Sequence, residues 1–584
     1  MDNPEIARIL DEVADVLEIK SENPFRIRAY RNAVRTIESL TVPLRRMTEQ
    51  KTPLTTLPGI GKDMERHILE MIETGTLGYR DQLLSEVPRS LIDLMRLPGV
   101  GPKKAHKLWD ELKICSVDEL EAAAKEGRIA TVPGFGAKTQ EKILAGIQDR
   151  RQHSSRLLLQ EAERHVEPLL AYLRAVPGIE RLEVAGSYRR RRETVGDIDL
   201  LATTTAGPAG AAAVMEAFRA YPQVSQVLMA GDTRSSVSLG SGLQVDLRVV
   251  PPESYGAALV YFTGSKDHNV KLRRRAVERG LRISEYGVYK VAESSEDPDG
   301  EWIAGREEAD VYATVGLPWI PPEIREDWGE IETAAAGRVP DLIRVEDFRG
   351  DLHMHSVWSD GRNTLEEMVA ACVARGYEYM AISDHSKNLP MVNGLDARRL
   401  TEQWREIEAV RARHPEIRLL RSMEVDILGD GSLDLEDEML AGLDRVIVSG
   451  HTRFEMPADE QTRRILRALE HPAVHVFAHP TARLINRRKP IDFDVDAVLT
   501  RAAELGVAVE LNSNPHRLDL KDAHLRLAKE RGCKIVVNTD SHRTQELDLL
   551  RYGVEQARRA GLEARDVLNT LPLPQFLAAV ARQP

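Results

Sequence analysis

At 584 residues, 42% of them hydrophobic and 29% charged, the chain exceeds a single hydrophobic core and predicts roughly two to four globular domains. No apolar run approaches the ~20 residues that span a bilayer, residues 1–20 are acidic rather than a signal peptide, and three scattered cysteines (Cys115, Cys372, Cys533) cannot build a disulfide framework. Membrane and disulfide-scaffold classes are excluded, and a reducing cytoplasm is the expectation. The net charge of −12 divides into +4 over residues 1–290 and −16 over 291–584, so the acidic half suits phosphate partners only if its acids hold divalent metal.

The N-terminal region carries an internal repeat. LPGIG (Leu57–Gly61), LPGVG (Leu97–Gly101) and VPGFG (Val132–Gly136) recur 40 and then 35 positions apart, each ahead of a helical pattern. The glycine pairs, Gly59 and Gly61, Gly99 and Gly101, Gly134 and Gly136, let backbone approach a ligand closely, and each following helix offers free N–H groups to an anion. Lys62, Lys103, Lys104 and Lys138 stand where a phosphate would sit. A tight turn between packed helices would look the same once, but three repeats favour phosphate-backbone binding. These loops resemble helix-hairpin-helix motifs, which grip DNA without reading bases. With AYRNAVRTI (Ala29–Ile37), the region resembles the N-terminal domain of family X DNA polymerases. That resemblance implies a lysine able to form the Schiff base of a deoxyribose-phosphate lyase. The matching position is His67, whose imidazole cannot form that imine, and Lys62 is the nearest remaining amine.

In EVAGSYRRRRETVGDIDLL (Glu183–Leu201), Asp197 and Asp199 are two apart on a strand whose other side carries Ile198 and Leu200, so both carboxylates share one face. LQVDLRVV (Leu243–Val250) sets Asp246 in an apolar strand where a lone carboxylate is costly. An exposed polar face is the bland reading, yet three acids on neighbouring strands are what two-metal phosphoryl transfer requires. An arginine-rich turn (Arg189 to Arg192) offers a phosphate cradle. YFTGS (Tyr261–Ser265) then leads into a basic helix with Asn269, Arg273 and Arg274, which taken alone reads as a solvated face. Together these motifs resemble the palm and thumb of family X polymerases. The resemblance implies that Asp197, Asp199 and Asp246 are catalytic and hold Mg²⁺ or Mn²⁺. It implies that Gly186, Ser187, Arg190 and Gly196 bind the dNTP triphosphate, that Tyr261, Phe262 and Gly264 pack its sugar, and that Asn269 and Arg273 reach the new pair's minor-groove side. Gln244 stands where the family can carry an arginine.

After a linker-like stretch (Glu332–Asp347), apolar runs alternate with helical patterns, as in a parallel sheet wrapped by helices. The runs end in FRGDLHMH, YMAISDH, LLRSMEVD, RVIVSGH, VHVFAH and KIVVNTDSH. Each terminus supplies potential ligands: His353, His355, His385, Glu424, His451, His479, Asp540 and His542, with Asp360 completing the first motif. Barrel active sites gather at the C-terminal strand ends, and nine N/O donors without cysteine suit a Zn, Mn or Fe cluster. His414, His471, His475, His516 and His524 read as structural, and Asn512 as a pocket-lining residue. The motif set resembles the polymerase and histidinol phosphatase (PHP) domain, which implies a trinuclear site and 3′-to-5′ exonuclease or 3′-end processing activity.

The expected fold is multidomain: an N-terminal all-α helix-hairpin-helix domain, an α+β nucleotidyltransferase palm and thumb, and a C-terminal α/β distorted (β/α)7 PHP barrel. Expected boundaries are 1–85 for the first helical domain, 86–155 for a fingers-like domain, 156–255 for the palm, 256–332 for the thumb, 333–347 for a linker and 348–584 for the barrel. The expected partners are gapped or primer-template DNA with 5′-phosphate ends and dNTPs, with no membrane, for a monomer in base excision repair. Two alternatives remain: a PHP phosphatase tethered to DNA, and a DNA-binding scaffold whose barrel metals are structural.

Overall fold

The computed structural model describes residues 3–20, 22–38, 44–49, 53–88, 90–95, 97, 100–136, 138–144, 147, 156–205, 207–290, 300–389 and 392–580. The chain divides into an N-terminal unit ending at Ser154 and a second unit running from Ser155 to Pro584, apart from residues 390–393.

In the first unit, Ile6, Leu10, Val13 and Leu17 recur at helical spacing on α1 (Asn3–Ile19) and are fully buried against α2 (Pro24–Glu38) and the helices that follow. Arg31 of α2 pairs with Asp11 and Asp15 of α1. Each repeat loop turns into a helix as its glycine pattern predicts. Gly59 has φ +76°, and a Cβ there would stand 3.2 Å from Asn32 Cβ. Gly61 then caps α3 (Lys62–Thr74), and Gly101 caps α4 (Pro102–Leu112) with proline at its first turn.

In the second unit, α5 (Leu159–Arg174) and α6 (Gly207–Arg219) cover a five-stranded sheet of β1 (Ile179–Val184), β2 (Asp197–Thr204), β3 (Val224–Ala230), β4 (Arg234–Leu239) and β5 (Gln244–Val249). Its order is β1-β2-β5-β4-β3, and only β2 and β5 pair in parallel. Helices α7 (Tyr255–Thr263) and α8 (Lys266–Val277) follow, then a three-stranded antiparallel sheet of residues 281–284, 287–290 and 301–304.

Seven parallel strands then pair in chain order: β6 (Gly350–Asp351), β7 (Tyr379–Ile382), β8 (Arg418–Asp426), β9 (Arg445–Ser449), β10 (Val476–Phe477), β11 (Ala508–Asn512) and β12 (Ile535–Asn538). A parallel bridge between Met354 and Ser541 and a 2.8 Å bond from His355 N to Ser541 O draw the first and last strands together, which nearly closes the barrel. Alternation along the strands divides the apolar residues. Met380, Ile382, Met423 and Val425 join the large cluster beneath the surrounding helices, whereas Tyr379, Ala381, Leu420, Ile447 and Val536 form a smaller one with Phe576. Phe576 stacks on Tyr379 at 4.3 Å between ring centroids. These interior side chains plug the N-terminal end of the barrel and leave the C-terminal end to polar groups. The segment 333–347 starts inside a short helix (Glu330–Ala335), and Leu342 and Ile343 are buried, so it lies packed rather than free. Among the described residues no helix is long and apolar enough to cross a membrane.

Candidate metal centres

The parallel register sets Asp199 opposite Asp246 and Asp197 opposite Gln244. Asp197 and Asp199 share one face while Ile198 is fully buried on the other. Gly186 makes room for them, since a Cβ there would stand 2.7 Å from Asp199 Oδ2. Burial first, then the charges of Asp197 and Asp246, push the Asp199 carboxyl up to about 6. Three like charges in this position call for cations, and an all-carboxylate set suits Mg²⁺ or Mn²⁺. Asp246 accepts hydrogen bonds from Ser236 Oγ and, at 3.2 Å, from Gln244 Nε2.

A cavity of about 520 Å³ opens on Asp197 and Asp199, lined by Gly186, Ser187, Arg190, Tyr261, Phe262, Gly264, Asn269 and Arg273. Arg156, Arg192 and Lys266 also line it, so five cationic side chains surround the aspartates. Gly196 is outside the lining and packs on Arg156, whose Nη1 would be 3.0 Å from a Cβ there. Asn269 donates to the Tyr261 carbonyl at 2.8 Å, and Arg248 covers the Phe262 ring at 4.4 Å. Arg274 points to solvent with its guanidinium 3.7 Å from Glu278, as the bland reading of this helix expects.

The barrel brings all nine predicted ligands together. Their donor atoms fall within 4.8 Å of one another in four overlapping groups: His355, Asp360, His385 and His542; His353, His355 and Asp540; His353, Glu424 and His479; and His385, Glu424 and His451. Glu424 is central, at 2.8 Å from His479 Nε2, 3.0 Å from His385 Nδ1 and 3.3 Å from His353 Nε2. His353 Nε2, His355 Nδ1, His385 Nδ1, His479 Nδ1 and Glu424 Oε2 are buried without a hydrogen-bond partner. Such orphaned donors and acceptors, facing one another, fit a bound cation cluster, and the N/O set matches Zn, Mn or Fe. Burial opposes ionisation, but the surrounding histidines hold Glu424 and Asp540 well below the usual carboxylate range. Conversely, burial works against protonated His542, yet Asp360 and Asp540 raise it to about 9.

Comparison with known proteins then separates the front of the chain from the back. Helix-hairpin-helix profiles match residues 1–77 and, as a SAM-like tandem, 91–149; the DNA polymerase beta thumb matches 258–326 and the PHP domain 351–514. Over 584 residues, 100% of both chains, the sequence is 40% identical to DNA polymerase/3'-5' exonuclease PolX of Bacillus subtilis. The chain belongs to the bacterial PolX family. Partial relatives include a probable phosphatase of Syntrophotalea carbinolica, 27% identical over 38% of this chain and 90% of that one. Another is DNA polymerase lambda of Arabidopsis thaliana, 24% identical over 55% of this chain and 62% of that one.

Within this PolX-family barrel, several functional groups escaped the motif reading. Glu510, fully buried on β11, accepts from His353 Nδ1 at 2.7 Å and Asn538 Nδ2 at 2.9 Å, which fixes the histidine's orientation. Its signal was available: a carboxylate inside the apolar run VAVEL. Asp426 meets His451 Nδ1 at 3.2 Å and Arg517 Nε stands 3.8 Å from Asp540, whereas Asn512, expected to line the pocket, donates from Nδ2 to Asp540 at 2.9 Å. His414 pairs with Glu366 at 2.6 Å and His475 accepts from Val446 N at 3.1 Å; with His471, His516 and His524, they belong to none of the ligand groups.

In the N-terminal unit, Gly61, Gly101, Gly134 and Gly136 are exposed with nothing within 4 Å of a built Cβ, so their backbone is open to a ligand. Lys62 and Lys103 are exposed, while Lys104 covers the Phe135 ring at 5.4 Å. Gly99 lies outside the described residues. His67 is buried, 3.1 Å from the Tyr30 hydroxyl and stacked on Tyr79.

Proposed function

We propose that this chain is a DNA polymerase with a separate 3′-5′ exonuclease site, filling gaps and trimming 3′ ends during base excision repair in the cytoplasm as a monomer. The observation that carries the reading is the cationic cavity facing Asp197 and Asp199, in a chain that also gathers nine metal ligands elsewhere. Asp197, Asp199 and Asp246 would hold Mg²⁺ or Mn²⁺ for two-metal transfer, and the barrel ligands a Mn²⁺, Zn²⁺ or Fe²⁺ cluster, trinuclear by family resemblance. Bound divalent ions lower the pKa of a hydroxyl or water and neutralise phosphate oxygens.

The chain's own groups do the rest. Arg156, Arg190, Arg192 and Lys266 receive the triphosphate of an incoming dNTP, joined by the loop at Gly186 and Ser187. Tyr261, Phe262 and Gly264 pack the sugar, and Asn269 and Arg273 meet the minor-groove side of the new pair. Gly196 supports this pocket through Arg156. Gly59, Gly61, Lys62, Gly99, Gly101, Lys103, Lys104, Gly134 and Gly136 grip phosphate backbone in the N-terminal unit. His67, tied into an aromatic stack and unable to form an imine, argues against lyase chemistry at that position. In the barrel, Glu510 orients His353, and Asp426 orients His451.

The test is a labelled duplex with a one-nucleotide gap, incubated in Mn²⁺ with and without dNTPs. Asp199→Ala should lose extension and keep trimming, and His355→Ala should do the reverse. If trimming survives His355→Ala, the barrel is not the nuclease. The likeness to a named phosphatase supports a second reading, which predicts release of phosphate from small esters and no shortening of the labelled strand.

A further inference from the structure

The arginine rim of the palm cavity is held in part by the barrel. Arg190 Nε donates to Glu326 Oε1 at 3.1 Å and its Nη1 to the Thr263 carbonyl. Arg192 Nη1 donates to Glu326 Oε2 at 3.3 Å, so one carboxylate fixes two rim arginines. The third cation on Glu326 is Arg559, at the end of α9 (Leu550–Arg559) on the barrel's outer layer, with 1% of it exposed. Arg559 Nη1 donates to Glu326 Oε1 at 3.1 Å and to the backbone carbonyl of Arg190 at 2.6 Å. Its Nε and Nη2 both donate to Asp522 Oδ2, at 3.1 and 2.7 Å, which anchors the guanidinium to the barrel.

A second barrel element reaches the same rim. Arg483, four residues beyond His479, forks onto Glu193 at 2.7 and 3.2 Å, and Asn486 Nδ2 donates to the Arg156 carbonyl at 3.0 Å. Three of the four arginines lining the cavity, Arg156, Arg190 and Arg192, are therefore gripped from the barrel, directly at the backbone or through Glu326. A buried guanidinium is expensive unless its donors are satisfied, and Arg559 spends its donors on the palm loop and on Asp522. A planar fork suits this task because it fixes direction as well as charge.

We propose that Arg559 is a positioning residue of the nucleotide site: through Glu326 and the Arg190 carbonyl, the barrel sets the arginine rim that receives the triphosphate. This rests on the polymerase reading above. The alternative role is a staple between domains, and the neighbouring pair Arg558–Glu323, at 2.9 Å, supplies the control: it shares with Arg559 only a long 3.5 Å bond to the Glu323 backbone carbonyl, which the Arg558→Ala change leaves in place.

The experiment is single-nucleotide gap filling by the full chain over a dNTP titration, with 3′ trimming and thermal melting measured on the same preparations. Arg559→Ala should raise the dNTP KM on the order of tenfold with a smaller change in kcat, as expected for misplacing a charge-assisted contact. Arg559→Lys, which keeps charge and most of the volume, should give an intermediate KM and guards against misfolding of the alanine variant. Arg558→Ala should melt earlier without changing KM. In an Arg190→Lys background, Arg559→Ala should add little, because residues acting through one group are not additive. An unchanged KM in Arg559→Ala and Arg559→Lys, an equal rise in Arg558→Ala, or full additivity with Arg190→Lys would overturn the proposal while leaving the polymerase reading intact. Absence of extension by the unsubstituted chain would overturn the polymerase reading and this inference with it.

Discussion

The palm and the barrel solve the same problem, holding divalent cations, with opposite electrostatics. The barrel interleaves six histidines with three carboxylates, most of them buried, so acids and imidazoles compensate one another. The palm offers three carboxylates of one sign, with Asp197 exposed and Asp246 engaged by Ser236 and Gln244. The nearest positive charges are the five cations that line the cavity. The difference teaches that the barrel's donor set compensates its own charge and so suits a resident centre, whereas on the proposed reading the palm site would be completed by ions that come with the nucleotide.

That contrast can be broken most forcefully at its central ligands. His355→Ala removes a donor shared by two ligand groups and should cut trimming by more than the roughly 10–100-fold expected for a supporting residue. Extension should be unaffected in the same gel assay. Glu308→Gln probes the preformed charge cluster beside the palm, where Glu308 meets Arg189 and Arg325, both at 2.8 Å. Leaving two guanidiniums under-compensated should cost about 3–5 kcal/mol in denaturant unfolding. Burial works against the charged form, but Arg325 and Arg189 hold this carboxyl far below its usual range. Its folded pKa is depressed, so its stabilisation is complete above the unfolded value near 4.3 and fades as pH falls further; Glu308→Gln should flatten that acid limb.

Glu510→Gln sharpens the comparison more gently. His353 loses its charged partner, and barrel metal affinity should drop about 10–100-fold in a chelator competition, with no change in dNTP KM. The smallest effect is expected for Arg274→Ala on the solvent side of α8, within about 0.5 kcal/mol of the unsubstituted stability and with normal extension.

How much of this was legible beforehand follows from periodicity and from cost. Alternation exposed Asp197 and Asp199 on one face, and strand-end histidines and acids announced the barrel cluster, because both signals are local in sequence. Glu510 and Asp426 were missed because their partners, His353 and His451, lie on other strands, and only barrel closure brings them together. Arg156 and Lys266 were missed in the palm cavity for a related reason: the motif reading attended to GS and YFTGS, while their neighbours turn toward the same opening. Gly196, expected to contact the triphosphate, stands against Arg156, which the motif reading did not link to it. The linker-like composition of 333–347 concealed the buried Leu342 and Ile343, since Ile343 is covered by remote parts of the barrel and Leu342 packs with Ile320, Ile324 and Ile331.

The most direct test of the resident-centre account is metal content after purification and dialysis against metal-free buffer, by elemental analysis of the unsubstituted chain, Asp199→Ala and His355→Ala. The account predicts more than one retained transition-metal ion per chain, unchanged by Asp199→Ala and reduced by His355→Ala. Retained metal that is lost with Asp199→Ala and kept with His355→Ala would contradict it.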